Sequence, residues 1–269
     1  MQRSQKKIDD LLVDVFEPEG PSAAKLLLVH GAWVGGWIWE DFATYLAEAG
    51  FACYAPTWRG RYGSAPVGDL GKVSMLDFVK DNLEVFEEVG ADVVVGESAG
   101  GLVAQKLAEG NPAVKAMVLM NPAPGYMVPA SPKLVWRQLK YLPDLLFSRP
   151  NLPNAKDYKA LILNNVPEPE ASEFYERICA ESGRALKEMS LGKIKVDPSK
   201  IHCPVYLIVG HLDTILPVKV HYKTANLLEA EVIDYPNMSH HTFSESGWEG
   251  VADEMLIWLK SKLPATAAP

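Results

Sequence analysis

With 269 residues, 48% of them hydrophobic and 22% charged, the chain has the composition of a globular protein, not of a disordered or fibrous one. Its length suits one α/β domain carrying an insertion, with a core large enough to need neither disulfides nor structural metal. A formal net charge of −8 argues against nucleic acid or an anionic lipid surface as partner, because either would add like-charge repulsion.

Residues 1–10 are polar and lack an apolar core of signal-peptide length, which implies a cytoplasmic protein. Strands are predicted over 11–16 and 25–30. The apolar stretch 26–39 is too short to span a membrane and is interrupted by His30, Gly31, Gly35 and Gly36, so it reads as a buried strand and turn. No transmembrane segment is expected. A helix follows over 40–49, where Asp41 stands early and Phe42, Leu46 and Ala49 repeat at helical spacing. Alternation continues with a strand over 52–55, a helix over 74–89, a strand over 92–96, a helix over 99–109 and a strand over 114–120. From 121 to 198 it stops. That segment holds many prolines and aromatics with helix-like stretches over 132–142 and 168–181, and is read as a helical cap insertion. The pattern resumes with a strand over 205–210, a helix over 218–228, a strand over 232–235 and a helix over 245–260. Residues 264–269 are small and Pro/Ala-rich, predicting a disordered tail. The fold class is therefore α/β, with a mostly parallel sheet covered by helices on both faces. Its core comprises residues 1–120 and 199–263. Cys53, Cys179 and Cys203 are far apart and show no ligand spacing, which fits reduced thiols and gives no support to a metal site.

The strand over 92–96 runs into Gly96, Glu97, Ser98, Ala99 and Gly100, followed by a helical stretch. About one chain in ten of this length would contain GxSxG by accident, so the strand–turn–helix setting carries the argument. In such a turn the residues flanking the serine must be small, and the helix that follows aims its first amides at developing negative charge. Ser98 is thus the candidate nucleophile. An oxyanion hole needs the amide after the serine and one from the loop after an earlier strand, which assigns the amides of Ala99 and Ala32. His30 and Gly31 read as a strand-ending turn, with His30 a hydrogen-bonding core residue. Asp213 follows the strand over 205–210, and His240 and His241 follow the strand over 232–235. Serine, acid and base after successive strand ends fit a triad of Ser98, Asp213 and His240.

These residues give the chain a resemblance to the α/β-hydrolase superfamily over nearly its whole length. The stretch LLVHGAWVGGWIWEDFATYLAEAGF resembles, more narrowly, the branch containing plant methylesterases and hydroxynitrile lyases, with Trp37 and Trp39 at the matching tryptophans. The resemblance implies a cap after the sixth strand and an active site between cap and sheet. It also favours His240 over His241 as base, since in relatives a proline and three mostly small residues precede the catalytic histidine, and here Pro236 to Ser239 do so. Thr57 stands where a family loop usually has Asp, so no role is carried to it. The lyases have Thr and Lys where this chain has Gly31 and His241, which disfavours lyase chemistry. Glu97 resembles the acidic residue of hormone-sensitive-lipase-like enzymes, but their HGGG stretch is absent.

The expected activity is hydrolysis of a small, neutral, hydrophobic carboxylic ester through an acyl-serine intermediate, with no cofactor and no metal. Thioester or lactone hydrolysis, acyl transfer, and a hydrolase-fold small-molecule receptor with little turnover stay open. The oligomeric state is unknown. In the insertion, Tyr126, Met127, Leu134, Val135, Trp136, Tyr141, Leu142, Leu145, Leu146 and Phe147 are too many large apolar groups for a solvated decoration. A subset is expected to line an acyl or alcohol pocket.

Overall fold

The computed structural model describes residues 1–129 and 139–263. In chain order, β1 (Gln2–Ile8) and β2 (Leu11–Glu17) are followed by β3 (Lys25–Val29), α1 (Glu40–Glu48), β4 (Ala52–Pro56), α2 (Met75–Val89), β5 (Val93–Glu97), α3 (Ala99–Ala108) and β6 (Ala116–Met120). Between β6 and the strand that follows 198, the described residues form α4 (Leu142–Leu146), β7 (Pro150–Asn151), α5 (Ala155–Leu161), α6 (Glu170–Glu176), β8 (Glu181–Ser182) and α7 (Gly183–Ser190). The chain then closes with β9 (Val205–Gly210), α8 (Val218–Leu228), β10 (Glu231–Tyr235) and α9 (Trp248–Lys262).

Among the described residues the main sheet has eight strands in the order β1-β2-β4-β3-β5-β6-β9-β10. The β1–β2 and β2–β4 pairings are antiparallel, and every pairing from β4 to β10 is parallel. The central strands are aliphatic at nearly every position because both of their faces are covered. Successive side chains point to opposite faces. Leu27, Val94, Leu119 and Leu207 pack with Phe78 of α2 and Leu102 of α3 on one side. Leu26, Val95, Val118 and Ile208 pack with Phe42 of α1 and Met255 of α9 on the other.

Three elements depart from the expected pattern. The polar segment over residues 1–10 contains the edge strand β1, joined to β2 by a turn in which Asp9 and Asp10 both have positive φ. Only Ile8 of this strand is buried, so backbone pairing forms it and no alternation of apolar residues announces it. The helix expected over 168–181 is only α6, because the chain beyond it turns to let the Cys179 amide donate to the Trp33 carbonyl at 2.8 Å. The last helix starts at Trp248 instead of Glu245, whose carboxylate instead accepts from the Ser239 amide. Most of the stretch over 132–142 and the tail over 264–269 lie outside the described residues. Among the described residues, no helix is long and apolar enough to cross a membrane.

Two glycines should respond oppositely to a methyl group. A Cβ on Gly100, in the first turn of α3, would collide with the carbonyl oxygens of Val29 and His30, whereas one on Gly250 of α9 would meet nothing. Gly100→Ala should lower stability by about 1–3 kcal/mol through overpacking. Gly250→Ala should raise it by about 0.5–1 kcal/mol by favouring the helix. Urea midpoints at unchanged slope are the measurement; equal midpoints for the two variants would contradict the packing described.

Candidate active site

Ser98 occupies the tight turn between β5 and α3 with φ 51° and ψ −120°, a conformation that is costly for a residue with a side chain. The surrounding backbone imposes it. The Ser98 amide donates to the Met120 carbonyl at 3.1 Å, and its own carbonyl accepts from Gly101 and Ala123 at 2.9 and 2.8 Å. A side chain at Gly96 would strike the Gly100 carbonyl, and one at Gly101 would strike Pro122. The small residues around the serine are thus required by how closely the turn packs.

The residues of the loop after β3 lie beside it. A Cβ on Gly31 would approach Ser98 Cβ to 3.0 Å and collide with the Glu97 carboxylate. Ala32 and Ser98 line the same cavity. No side chain caps the start of α3, where the first amides, beginning with Ala99, lack intrahelical acceptors. His30 is occupied elsewhere: its Nε2 accepts from the Trp58 amide at 3.2 Å, which places its proton on Nδ1, 2.7 Å from the Gly31 carbonyl. Burial, reinforced by nearby Arg61, lowers its pKa to about 3 and keeps it neutral.

Asp213 and His240 meet directly. Asp213 Oδ1 accepts from the amides of Ile215 and Leu216 at 2.9 and 3.0 Å, which orients Oδ2 toward His240 Nδ1 at 2.7 Å. Burial alone would raise the Asp213 pKa, but the charge of His240 and hydrogen bonds from His221 and His240 hold it well below the usual carboxylate range. His240 Nε2 is buried and makes no hydrogen bond, and no hydrogen bond joins it to Ser98 Oγ. Asn121, unassigned by sequence reasoning, fixes the histidine loop. Its amide nitrogen donates to the carbonyls of Ser239 and His240 at 2.8 and 2.9 Å, and its oxygen accepts from Gly210 at 2.9 Å. One buried side chain thereby ties together the ends of β6, β9 and the loop after β10. Nothing local marks it beyond its place at a strand end.

Residues 26–254 match the family model described as Alpha/beta hydrolase family. The chain belongs to the alpha/beta hydrolase family. It is 39% identical over 118 residues to lipase LipV of Mycobacterium tuberculosis, covering 43% of each chain. It is 33% identical over 101 residues to a carbendazim hydrolyzing esterase of Nocardioides sp., covering 36% of this chain and 41% of that protein. These matches span about two fifths of the relatives' lengths. In fold it is similar to the monoacylglycerol lipase of Paleococcus ferrophilus, with a TM-score of 0.73, 22% identity and coverage of 94% of this chain and 99% of that one.

In this alpha/beta hydrolase, Ser98 opens onto a cavity of about 220 Å³ whose wall is mostly apolar. Tyr126, Tyr141 and Leu145, from the segment between β6 and β9, line it, as do Tyr158 and Leu161, which sequence reasoning did not single out. Met127, Leu142, Leu146 and Phe147 are exposed instead. Leu134, Val135 and Trp136 lie outside the described residues.

His241 packs between the rings of Phe174 and Phe243. Glu97 is buried beneath both histidines, with Oε1 3.3 Å from His240 Nε2 and 3.7 Å from His241 Nε2. Burial raises the Glu97 pKa to about 7. Burial depresses that of His240, but the carboxylates of Asp213 and then Glu97 outweigh this and push it up to about 9. A histidine pKa raised by folding contributes stability that is full below about pH 6.5 and lost as pH rises through about 9. Imidazole NMR titration should find His240 titrating above the ordinary range. Glu97→Gln should lower its midpoint and Asp213→Asn should lower it further. An unmoved midpoint in both variants would contradict this electrostatic picture.

Proposed function

We propose that this protein is a serine esterase in which Ser98 is the nucleophile, His240 the general base and acid, and Asp213 the residue that orients and charges the imidazole. The observation that carries the reading is the buried 2.7 Å contact between Asp213 and His240 Nδ1, which leaves Nε2 free of hydrogen bonds at the strand ends where strained Ser98 opens onto an apolar cavity. Catalytic hydrogen bonds in ligand-free sites are often long and tighten only with substrate, so the missing Ser98–His240 bond is compatible with it.

In this reading the neutral form of His240, whose share grows as pH rises toward its pKa of about 9, accepts the proton at Nε2 as Ser98 Oγ attacks the ester carbonyl carbon. The carbonyl π pair moves to oxygen, where the amides of Ala32 and Ala99 stabilise it. Collapse breaks the ester C–O bond, and the departing alkoxide takes the proton from His240. Water then repeats the sequence on the acyl-serine, releasing the acid and restoring the hydroxyl. Every proton donor and acceptor comes from the chain or from water, so the scheme calls for no cofactor.

Residues 121–198 act as the cap in this reading, because they supply much of the cavity wall above Ser98. A wall with few polar groups favours neutral, moderately hydrophobic esters over charged ones. The partial likeness to a lipase and to an esterase supports ester chemistry over the other acyl transfers this scaffold allows.

Ser98→Ala should reduce ester turnover by about 10⁴-fold or more while the protein stays folded. Asp213→Asn should cost on the order of 10⁴-fold through the wrong imidazole tautomer. Steady-state kinetics on acetate, hexanoate and dicarboxylate monoesters check both the roles and the pocket. Near wild-type turnover by Ser98→Ala refutes the nucleophile, and equal efficiency on all three substrates refutes the apolar pocket.

A further inference from the structure

Trp33, the residue after the oxyanion donor Ala32, has φ 66°, a left-handed conformation that a bulky aromatic residue rarely adopts unless its surroundings enforce it. Its surroundings here belong to the insertion. The Trp33 amide donates to Glu181 Oε2 at 3.3 Å, and its indole Nε1 donates to Asn151 Oδ1 at 3.2 Å. Its carbonyl accepts from the Cys179 amide at 2.8 Å, and its ring packs edge-on against Tyr158. Asn151 and Glu181 are register partners across the β7–β8 ribbon, so a single two-residue ladder presents both acceptors.

The Glu181 carboxylate is itself held. Arg61, from the loop after β4, reaches it with two nitrogens at 2.7 and 2.9 Å, and both side chains are almost wholly buried. The same guanidinium donates to the Val34 carbonyl at 3.3 Å and lies over the rings of Trp58 and Phe78. A paired carboxylate in a fixed fork cannot swing away without stranding a buried charge. The acceptor for the Trp33 amide therefore has one available position.

We propose that Glu181, locked by Arg61, is a positioning residue for the oxyanion loop: it holds Trp33 in its left-handed conformation and so aims the neighbouring Ala32 amide at the reacting carbonyl. This rests on the reading of Ser98 and Ala32 given above. It makes the insertion part of the catalytic geometry as well as a wall of the pocket.

The test compares two double variants, neither of which leaves a buried charge unpaired. Arg61→Met with Glu181→Gln retains an acceptor for the Trp33 amide, whereas Arg61→Met with Glu181→Met does not. The first should keep kcat within about threefold of wild type, and the second should lose about 10–100-fold in kcat with KM changed less than about threefold. Affinity for a trifluoromethyl ketone, which mimics the tetrahedral oxyanion, should fall by the same factor in the second variant only. Equal kcat and equal ketone affinity in the two variants overturn the proposal while leaving the Ser98 reading intact. Ester turnover that survives Ser98→Ala removes the reading beneath it instead. If either double variant fails to fold, amide hydrogen exchange on the wild-type protein decides: the Trp33 amide should be protected at least about 100-fold, and exchange at the rate of an open loop overturns the proposal.

Discussion

The first turn of α3 lies against the end of β3 so closely that the carbonyls of Val29 and His30 occupy the space a side chain at Gly100 would need. This backbone-to-backbone approach is the constraint on which the rest of the site depends. It draws the start of a helix, with its uncapped amides, up to the loop that carries Gly31 and Ala32, and it forces Ser98 into a conformation with positive φ. A turn of this kind costs on the order of 1–3 kcal/mol. The cost is offset by a sheet whose central strands are buried on both faces, and the strain ends up where a side chain must project above that sheet.

The polar groups gathered there are buried by different devices. Asp213 is satisfied fully, by two backbone amides and two histidines. Glu181 is satisfied by a bidentate arginine and by amides of Trp33 and Ser182. Glu97 makes no hydrogen bond through either of its buried oxygens, and the rings of His240 and His241 approach its Oε1, at 3.3 and 3.7 Å. Burial raises its pKa to about 7, outweighing the opposing charge of His240. The contrast separates two roles for carboxylates around one site. The first two fix geometry, and the third sets the electrostatic environment of the imidazole above it.

Much of this was legible in the sequence, and what was not has a physical reason. Strands such as Val205–Gly210 could be read because burial on both faces demands continuous apolar runs, and Val218–Leu228 because its buried face repeats at helical spacing. GxSxG could be read because close packing dictates small residues at fixed offsets. The edge strand β1 could not, since its formation rests on backbone pairing and all its side chains except Ile8 remain in solvent. His240 and His241 are neighbours of the same type: in the sequence only the family spacing from Pro236 favours the first, and the contact with Asp213 Oδ2 that sets it apart is long-range. Trp33 and Glu181 stand 148 residues apart, and Asn121 and Ser239 stand 118 apart. Contacts of that range carry no local periodicity. They become visible only once strand order brings the segments together.

The central claim is that Ser98 forms a covalent bond with the acyl group of its substrate. Peptide-level mass spectrometry of the protein quenched during turnover of an activated ester tests it most directly. The account predicts a single acyl adduct on Ser98 that accumulates and then decays as substrate is exhausted. Turnover without any adduct on Ser98, or with the acyl group carried by another residue, would contradict it.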